Sequence, residues 1–215
     1  MDIEATIRLI SIAAIPILFA ITLHEAAHAY TAKHFGDMTA YQLGRTSLNP
    51  LHHIDPVGTV MLPLLTLIFG GVLFGWAKPV PVDLRGVRNP KKAMLWVALA
   101  GPASNLVMAL GWAMLYKLAL INPDNYFANP LQQMAGMGIK INAVLLVLNL
   151  LPLPPLDGGR VLVSLLPYRQ AVLVSKVEPY GMFILLFLAV TPVLGAILQP
   201  LLRGVFSIIS SLFGI

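Results

Sequence analysis

The chain has 215 residues, 58% of them hydrophobic and only 11% charged, and its mean hydropathy is +0.82. An ordinary soluble domain carries about 25% charged residues, so the composition excludes a water-soluble globule and points to one polytopic membrane unit, residues 1–215, set in a lipid bilayer. The formal charge of +5 does not make a nucleic-acid module, because the basic residues are scattered between apolar runs, and the absence of cysteine excludes disulfides, Cys-ligated zinc and thiol catalysis.

The first apolar run, residues 6–30, follows Asp2, Glu4 and Arg8 without a basic leading region. It therefore reads as a mature helix rather than a cleaved signal. Towards its end stands His24-Glu25-Ala26-Ala27-His28, an H-E-x-x-H motif. Helical positions four apart differ by about 40° in azimuth, so both imidazoles lie on one face and can share a metal, with Glu25 beside them. Zinc held by two His and one carboxylate keeps a position for water, and Glu25 is placed to take that water's proton. An ionisable group inside a span costs roughly 2.5–3.5 kcal/mol on insertion scales, so three such groups within five residues call for a partner. The alternative is a helix end whose polar groups snorkel to the interface beside Lys33 and His34. The close-packing alanines 26, 27 and 29 favour the metal.

Residues 44–55 form a polar, turn-rich loop in which His52 and His53 either gate access and relay protons or are simply solvated. Residues 57–76 are apolar and long enough to cross, but they carry Pro63, Gly70, Gly71 and Gly75 and overlap a strand-like run, 72–82. Charge decides between crossing and re-entry. If 57–76 dips in and returns, the loops 31–91 and 154–178 share a side, and that side gathers Lys33, Arg45, Lys78, Arg85, Arg88, Lys91, Arg160, Arg169 and Lys176. The opposite loop, 121–133, has no Lys or Arg. A re-entrant element bordering a cavity is therefore expected, with the basic face cytoplasmic and the N-terminus outside.

The second full span, residues 92–120, contains Gly101-Pro102-Ala103-Ser104-Asn105, whose small side chains admit a close neighbour; helix packing outweighs a catalytic part for Asn105. The third, 134–151, ends at Asn149 and is followed by a proline-broken loop leading to Asp157-Gly158-Gly159. A third metal ligand is sought among Asp157, Glu178, Asp55, His52 and His53. On chemistry alone Asp157 reads equally as a ligand or as the cap of a helix starting near Arg160. The last apolar region, residues 179–215, is interrupted by Pro192, Gly195 and Pro200, giving one kinked helix or two short ones turning near Gln199. The expected fold is an all-α polytopic membrane protein of four to six transmembrane helices with a small re-entrant or β-hairpin element within 57–82.

His24-Glu25-x-x-His28, then Gly101-Pro102-Ala103-Ser104-Asn105, then Asn149-x-x-Pro152 with Asp157-Gly158, in that order, resemble the signature set of the site-2 protease family of intramembrane zinc proteases. The resemblance covers residues 24–158, and the short stretch between Leu84 and Lys92 is similar to the compact prokaryotic branch that lacks a PDZ domain. It implies one Zn²⁺ per chain on His24, His28 and Asp157, Glu25 as general base, and Asn149 as a polar group near the substrate carbonyl. It further implies a membrane-protein substrate cut in or near a transmembrane helix, in a prokaryotic cell membrane, while the basic loops place the opening of the active site on the cytoplasmic side. In that family the run 72–82 resembles a strand beside the active site that holds substrate extended; an interfacial hairpin anchored by Trp76 competes with that expectation. Two other classes are weighed. An ion-coupled carrier would use the same buried groups as a permeation path, but the chain shows no repeat and no paired broken helices. An idle partner-binding relative has no chemical need of Glu25 and both histidines.

Overall fold

A computed structural model describes residues 3–61 and 78–215. Helix α1 (Ile3–His34) is followed by a short α2 (Thr39–Gln42), a 3₁₀ turn at Pro50–His52 and a π-helical turn at Pro56–Met61. Then come α3 (Pro90–Ile121), α4 (Ala128–Asn149), α5 (Asp157–Leu165), α6 (Tyr168–Ser175), α7 (Glu178–Val190) and α8 (Pro192–Phe213). Residues 62–76 of the expected element at 57–76, and residues 72–77 of the run 72–82, lie outside the described residues. Residues 78–82 carry no strand pairing among the described residues.

Among the described residues, four helices are long and apolar enough to cross a bilayer: residues Ile7–His34 of α1, then α3, α4 and α8. At about 1.5 Å per residue the 32 residues of α3 reach about 48 Å, more than the roughly 30 Å of hydrocarbon. A fifth crossing is available if α6 and α7, bent by 58°, count as one broken span. These numbers fall within the four to six expected. The C-terminal region is two elements, but the break is at Thr191-Pro192, not near Gln199. Thr191 is extended and Pro192 opens α8 at a position whose N–H has no helical partner, while Pro200 stays inside the helix.

Local signals account for the ends. Asn89 caps α3 by accepting from the Lys92 N–H at 3.2 Å, with Pro90 as the first helical residue. Gly214, at φ 63°, closes α8 in the left-handed conformation and donates to Ser210 C=O at 2.8 Å. The centre is a bundle of α1, α3 and α4, to which α5 is added against α3 and α8 against α4 and α3. The seam of α3 reads Val97, Gly101, Asn105, Ala109, Ala113, and that of α4 reads Ala135, Gly138, Asn142, Ala143, Leu146, all buried. Lipid tails are as apolar as leucine, so the helices associate through close van der Waals packing, which small residues at intervals of three or four permit.

Outside the spans, the turn after residue 82 is tied by Arg85, whose guanidinium donates to both oxygens of Asp83 at 2.9 and 3.0 Å. Those hydrogen bonds hold the Asp83 carboxyl down to about 2. Arg88, three residues on, is exposed. Asp37, buried at the end of α1, accepts the Asp83 N–H at 2.7 Å and the Thr39 N–H at 2.9 Å, so the chain after residue 78 is strapped back onto α1.

Two glycines test the packing. A Cβ on Gly138 would meet the Trp112 ring of α3, whereas one on Gly111 would meet nothing within 4 Å. Gly138→Leu is expected to cost about 1–3 kcal/mol as overpacking, seen as a lower melting temperature in detergent, and Gly111→Leu is expected to leave melting unchanged.

Candidate metal centre

His24 and His28 sit one helical turn apart on the face of α1 turned into the bundle, each 7% exposed. Their rings are perpendicular, with centroids 4.7 Å apart. Each ring is held from behind by α3. Nδ1 of His28 donates to Val97 C=O at 2.7 Å, which leaves its Nε2 as a lone pair facing inward. Nδ1 of His24 meets Asn105 Oδ1 at 2.6 Å. Gly101 lies between these two supports; a Cβ there would strike the His28 ring and fall 2.6 Å from His24 Cε1. Glycine at 101 is therefore the condition for α3 to approach the imidazoles closely.

Asp157 reaches the same point from the other end of the chain. The loop after α4, with Pro154-Pro155 in the cis form, delivers it at the first turn of α5. Gly158 and Gly159 are buried against the backbone of that loop: added Cβ atoms would collide with Leu150 and Leu151 C=O and with Pro154 N. On the far side, Gly181 of α7 lies against Pro154 C=O with no room for a side chain. Asp157 is the first helical residue of α5, with Leu156 at the N-cap. Its Oδ2 lies 3.2 Å from His24 Nε2 and 3.3 Å from His28 Nε2, and the two Nε2 atoms are 3.1 Å apart. Of the ligand candidates, the structure brings together His24, His28 and Asp157; these are the one such group among the described residues.

The triangle fits a small divalent ion. A tetrahedral centre with bonds of about 2.0–2.1 Å has edges of about 3.3–3.4 Å, close to the three distances found. Asp157 Oδ2 is also buried without a hydrogen-bond partner, a state that costs a charged oxygen more than the roughly 1–3 kcal/mol of a neutral group. A cation at the centre of the triangle satisfies it. Two neutral imidazoles and one carboxylate suit zinc, leaving a fourth position open.

Glu25 is half-buried beside the histidines, and its Oε2 accepts the Val80 N–H at 3.0 Å. Val80 stands between Pro79 and Pro81, so its N–H is the single backbone donor of residues 79–81. Arg45 fixes this segment by donating to Lys78 C=O at 2.8 Å, and the Lys78 N–H donates to His53 C=O at 3.0 Å.

The remaining candidates lie elsewhere. His53 is buried and donates from Nε2 to Ser47 C=O at 2.8 Å, while His52 is exposed with Nδ1 3.1 Å from Gly44 C=O. Asp55 accepts the N–H groups of Val57 and Gly58 at 2.9 and 2.7 Å, and Glu178 is exposed at the start of α7. Asn149 is half-buried in the last turn of α4. Asn105 was expected to serve helix packing rather than chemistry, and Val80 was not singled out. An amide in the middle of an apolar span was the available signal for Asn105. For Val80, the flanking prolines were the only trace.

A profile of peptidase family M50 matches residues 117–192. The chain is 40% identical over 193 residues to a Bacillus subtilis (strain 168) protein named "Putative zinc metalloprotease YwhC", covering 88% of this chain and 85% of that one. Two proteins named "Putative zinc metalloprotease Rip2" are also similar. The one from Mycolicibacterium smegmatis is 34% identical over 182 residues, covering 82% of this chain and 66% of that one. The one from Mycobacterium tuberculosis (strain H37Rv) is 31% identical over 193 residues, covering 88% and 67%. No solved structure matches.

The close approach at Gly101 makes a prediction about metal alone. Gly101→Ala should push both imidazoles apart and lower the metal content of the purified protein several-fold by elemental analysis. Ala103→Gly, on the same helix, should retain it.

Proposed function

The chain belongs to peptidase family M50, the site-2 protease family, and is an integral membrane zinc metalloprotease; on that premise we propose that His24, His28 and Asp157 hold its one zinc ion and that Glu25 of the H-E-x-x-H motif is the general base. The observation that supports this most is the triangle of ligand atoms closed by an otherwise unpartnered Asp157 oxygen. Zinc bound there supplies Lewis acidity, polarising the scissile carbonyl and acidifying the attacking water.

The side chains divide the rest of the work. Glu25 takes a proton from the attacking water and returns it to the leaving amine. The Val80 N–H, donating to one Glu25 oxygen, orients the carboxylate and leaves its other oxygen for the water. Asn149 donates to the substrate carbonyl as charge develops on its oxygen. The substrate is the transmembrane segment of another membrane protein. A helical segment has its carbonyls bonded internally, so cleavage requires local unwinding, which Gly, Pro or Asn in the substrate eases.

Orientation follows from charge. His24 and His28 lie in the last third of α1, on the side of Lys33, Lys78, Arg88 and Arg160, and loops rich in Lys and Arg stay cytoplasmic. The site therefore opens to the cytoplasm of a prokaryotic cell, with the N-terminus outside. Because the chain has no native cysteine, Arg88→Cys should react with an impermeant maleimide only from the cytoplasmic side of oriented membranes. Tyr126→Cys, in the loop between α3 and α4, should react only from the other side.

Zinc content and turnover separate the roles. Wild type should carry about one zinc per chain and Asp157→Ala well under half of that. Glu25→Gln should keep the zinc while cleavage of a membrane substrate falls by about 10²-fold or more. Robust cleavage by that variant would overturn the role of Glu25, and zinc retained by Asp157→Ala would overturn that of Asp157.

A further inference from the structure

The support of His24 does not end at Asn105. Asn105 and Asn142 are both fully buried, at 0% exposure, in the middle of α3 and α4. Asn105 Nδ2 donates to Asn142 Oδ1 at 2.9 Å and to Ala20 C=O at 3.3 Å, and Asn142 Nδ2 donates to Gly138 C=O at 2.9 Å. Three helices are therefore joined by one line of hydrogen bonds that ends on the metal ligand.

The line has a direction, and its ends impose it. The carbonyls of Gly138 and Ala20 can only accept. Asn142 must turn its NH₂ group to Gly138, which leaves its oxygen towards α3. Asn105 must then turn its NH₂ group to that oxygen and to Ala20, which leaves its own oxygen towards His24. Reversing either amide would set carbonyl oxygen against carbonyl oxygen in a buried site, where an unsatisfied polar group costs about 1–3 kcal/mol. His24 Nδ1 is thereby required to carry its proton, and Nε2 keeps its lone pair. His28 needs no such relay, because the Val97 carbonyl dictates the same tautomer directly.

We propose that Asn142, which lies on a different helix from every metal ligand, is a positioning residue of the site. It acts through Asn105 to lock His24 in the tautomer whose Nε2 can coordinate. The proposal rests on the metal reading above for its purpose, and on the hydrogen bonds alone for its mechanism. Partners of this kind fix ring orientation and ligand basicity, and their loss typically weakens metal binding by about 10–100-fold.

The test uses the full-length protein as purified in detergent and compares wild type, Asn142→Leu and Asn142→Asp. Leucine removes one of the two acceptors that orient Asn105, leaving only Ala20 C=O at 3.3 Å; aspartate in its neutral acid form keeps the shape, donates its O–H to Gly138 C=O and keeps an oxygen facing Asn105. Two quantities are read: the zinc dissociation constant by chelator competition, and the His24 tautomer by ¹⁵N spectroscopy, assigned with a His24→Gln sample. Wild type and Asn142→Asp should show the Nδ1–H form and similar zinc affinity. Asn142→Leu should show mixed tautomers and affinity weaker by about 10–100-fold.

A folded Asn142→Leu that keeps the Nδ1–H form and wild-type affinity overturns the proposal, and reduces Asn142 to packing. If Asn142→Leu does not fold, Asn142→Asp decides, since loss of the Nδ1–H form there overturns it equally. Absence of zinc from wild type would remove the metal reading, yet the tautomer comparison would still confirm or overturn the relay.

Discussion

Two imidazoles and a carboxylate converge in the interior of an apolar bundle, and the cost of placing them there governs much of the surrounding structure. Lipid tails offer nothing to satisfy a stray lone pair, so the outward-facing valences of the rings must be answered by the protein. His28 is answered by a main-chain carbonyl and His24 by an amide, and the three inward atoms are left to one another at 3.1–3.3 Å. Bringing α3 and the loop before α5 near enough to do this requires bare backbone at the points of contact. Gly101, Gly158, Gly159 and Gly181 are those points. The small-residue seam between α3 and α4 is the same device continued away from the metal.

The proposed base is held differently from the proposed ligands. Glu25 is kept in place by the Val80 N–H, on a segment that is itself tied at Lys78 and at Asp83. The two prolines around Val80 withhold competing donors, so one bond is made and the neighbouring backbone offers none. A donor on the main chain also survives any side-chain change at position 80 other than proline. The chemistry assigned to Glu25 thus depends on a backbone position, and conformational change in residues 78–83 would alter the base without touching the metal.

What was legible in the sequence follows from which features have a local signature. The spacing of His24, Glu25 and His28 fixes their shared face by helix geometry alone, and the long uncharged runs give the four crossings. Asp157 was open between ligand and cap, because both uses put an aspartate at the start of a helix; only the fold shows its oxygen beside the imidazoles. The last region was expected to be one kinked helix or two short ones turning near Gln199, yet Pro200 is tolerated inside α8, whereas Pro192 follows an extended threonine and opens a new helix. Asn105 was weighed as packing because its partners are 37 and 81 residues away, on helices that sequence cannot pair. The Val80 contact is a backbone bond, which leaves almost no compositional trace.

The distance along the chain between the two histidines and Asp157 also has a temporal meaning. More than a hundred residues, including α3 and α4, separate His28 from Asp157. At about 5–20 residues per second, a nascent chain exposes the two proposed histidine ligands on the order of ten seconds before Asp157 leaves the ribosome. Gly181, which backs the Asp157 loop, emerges later still. On the proposed ligand set, the site is complete only when the last third of the chain has docked.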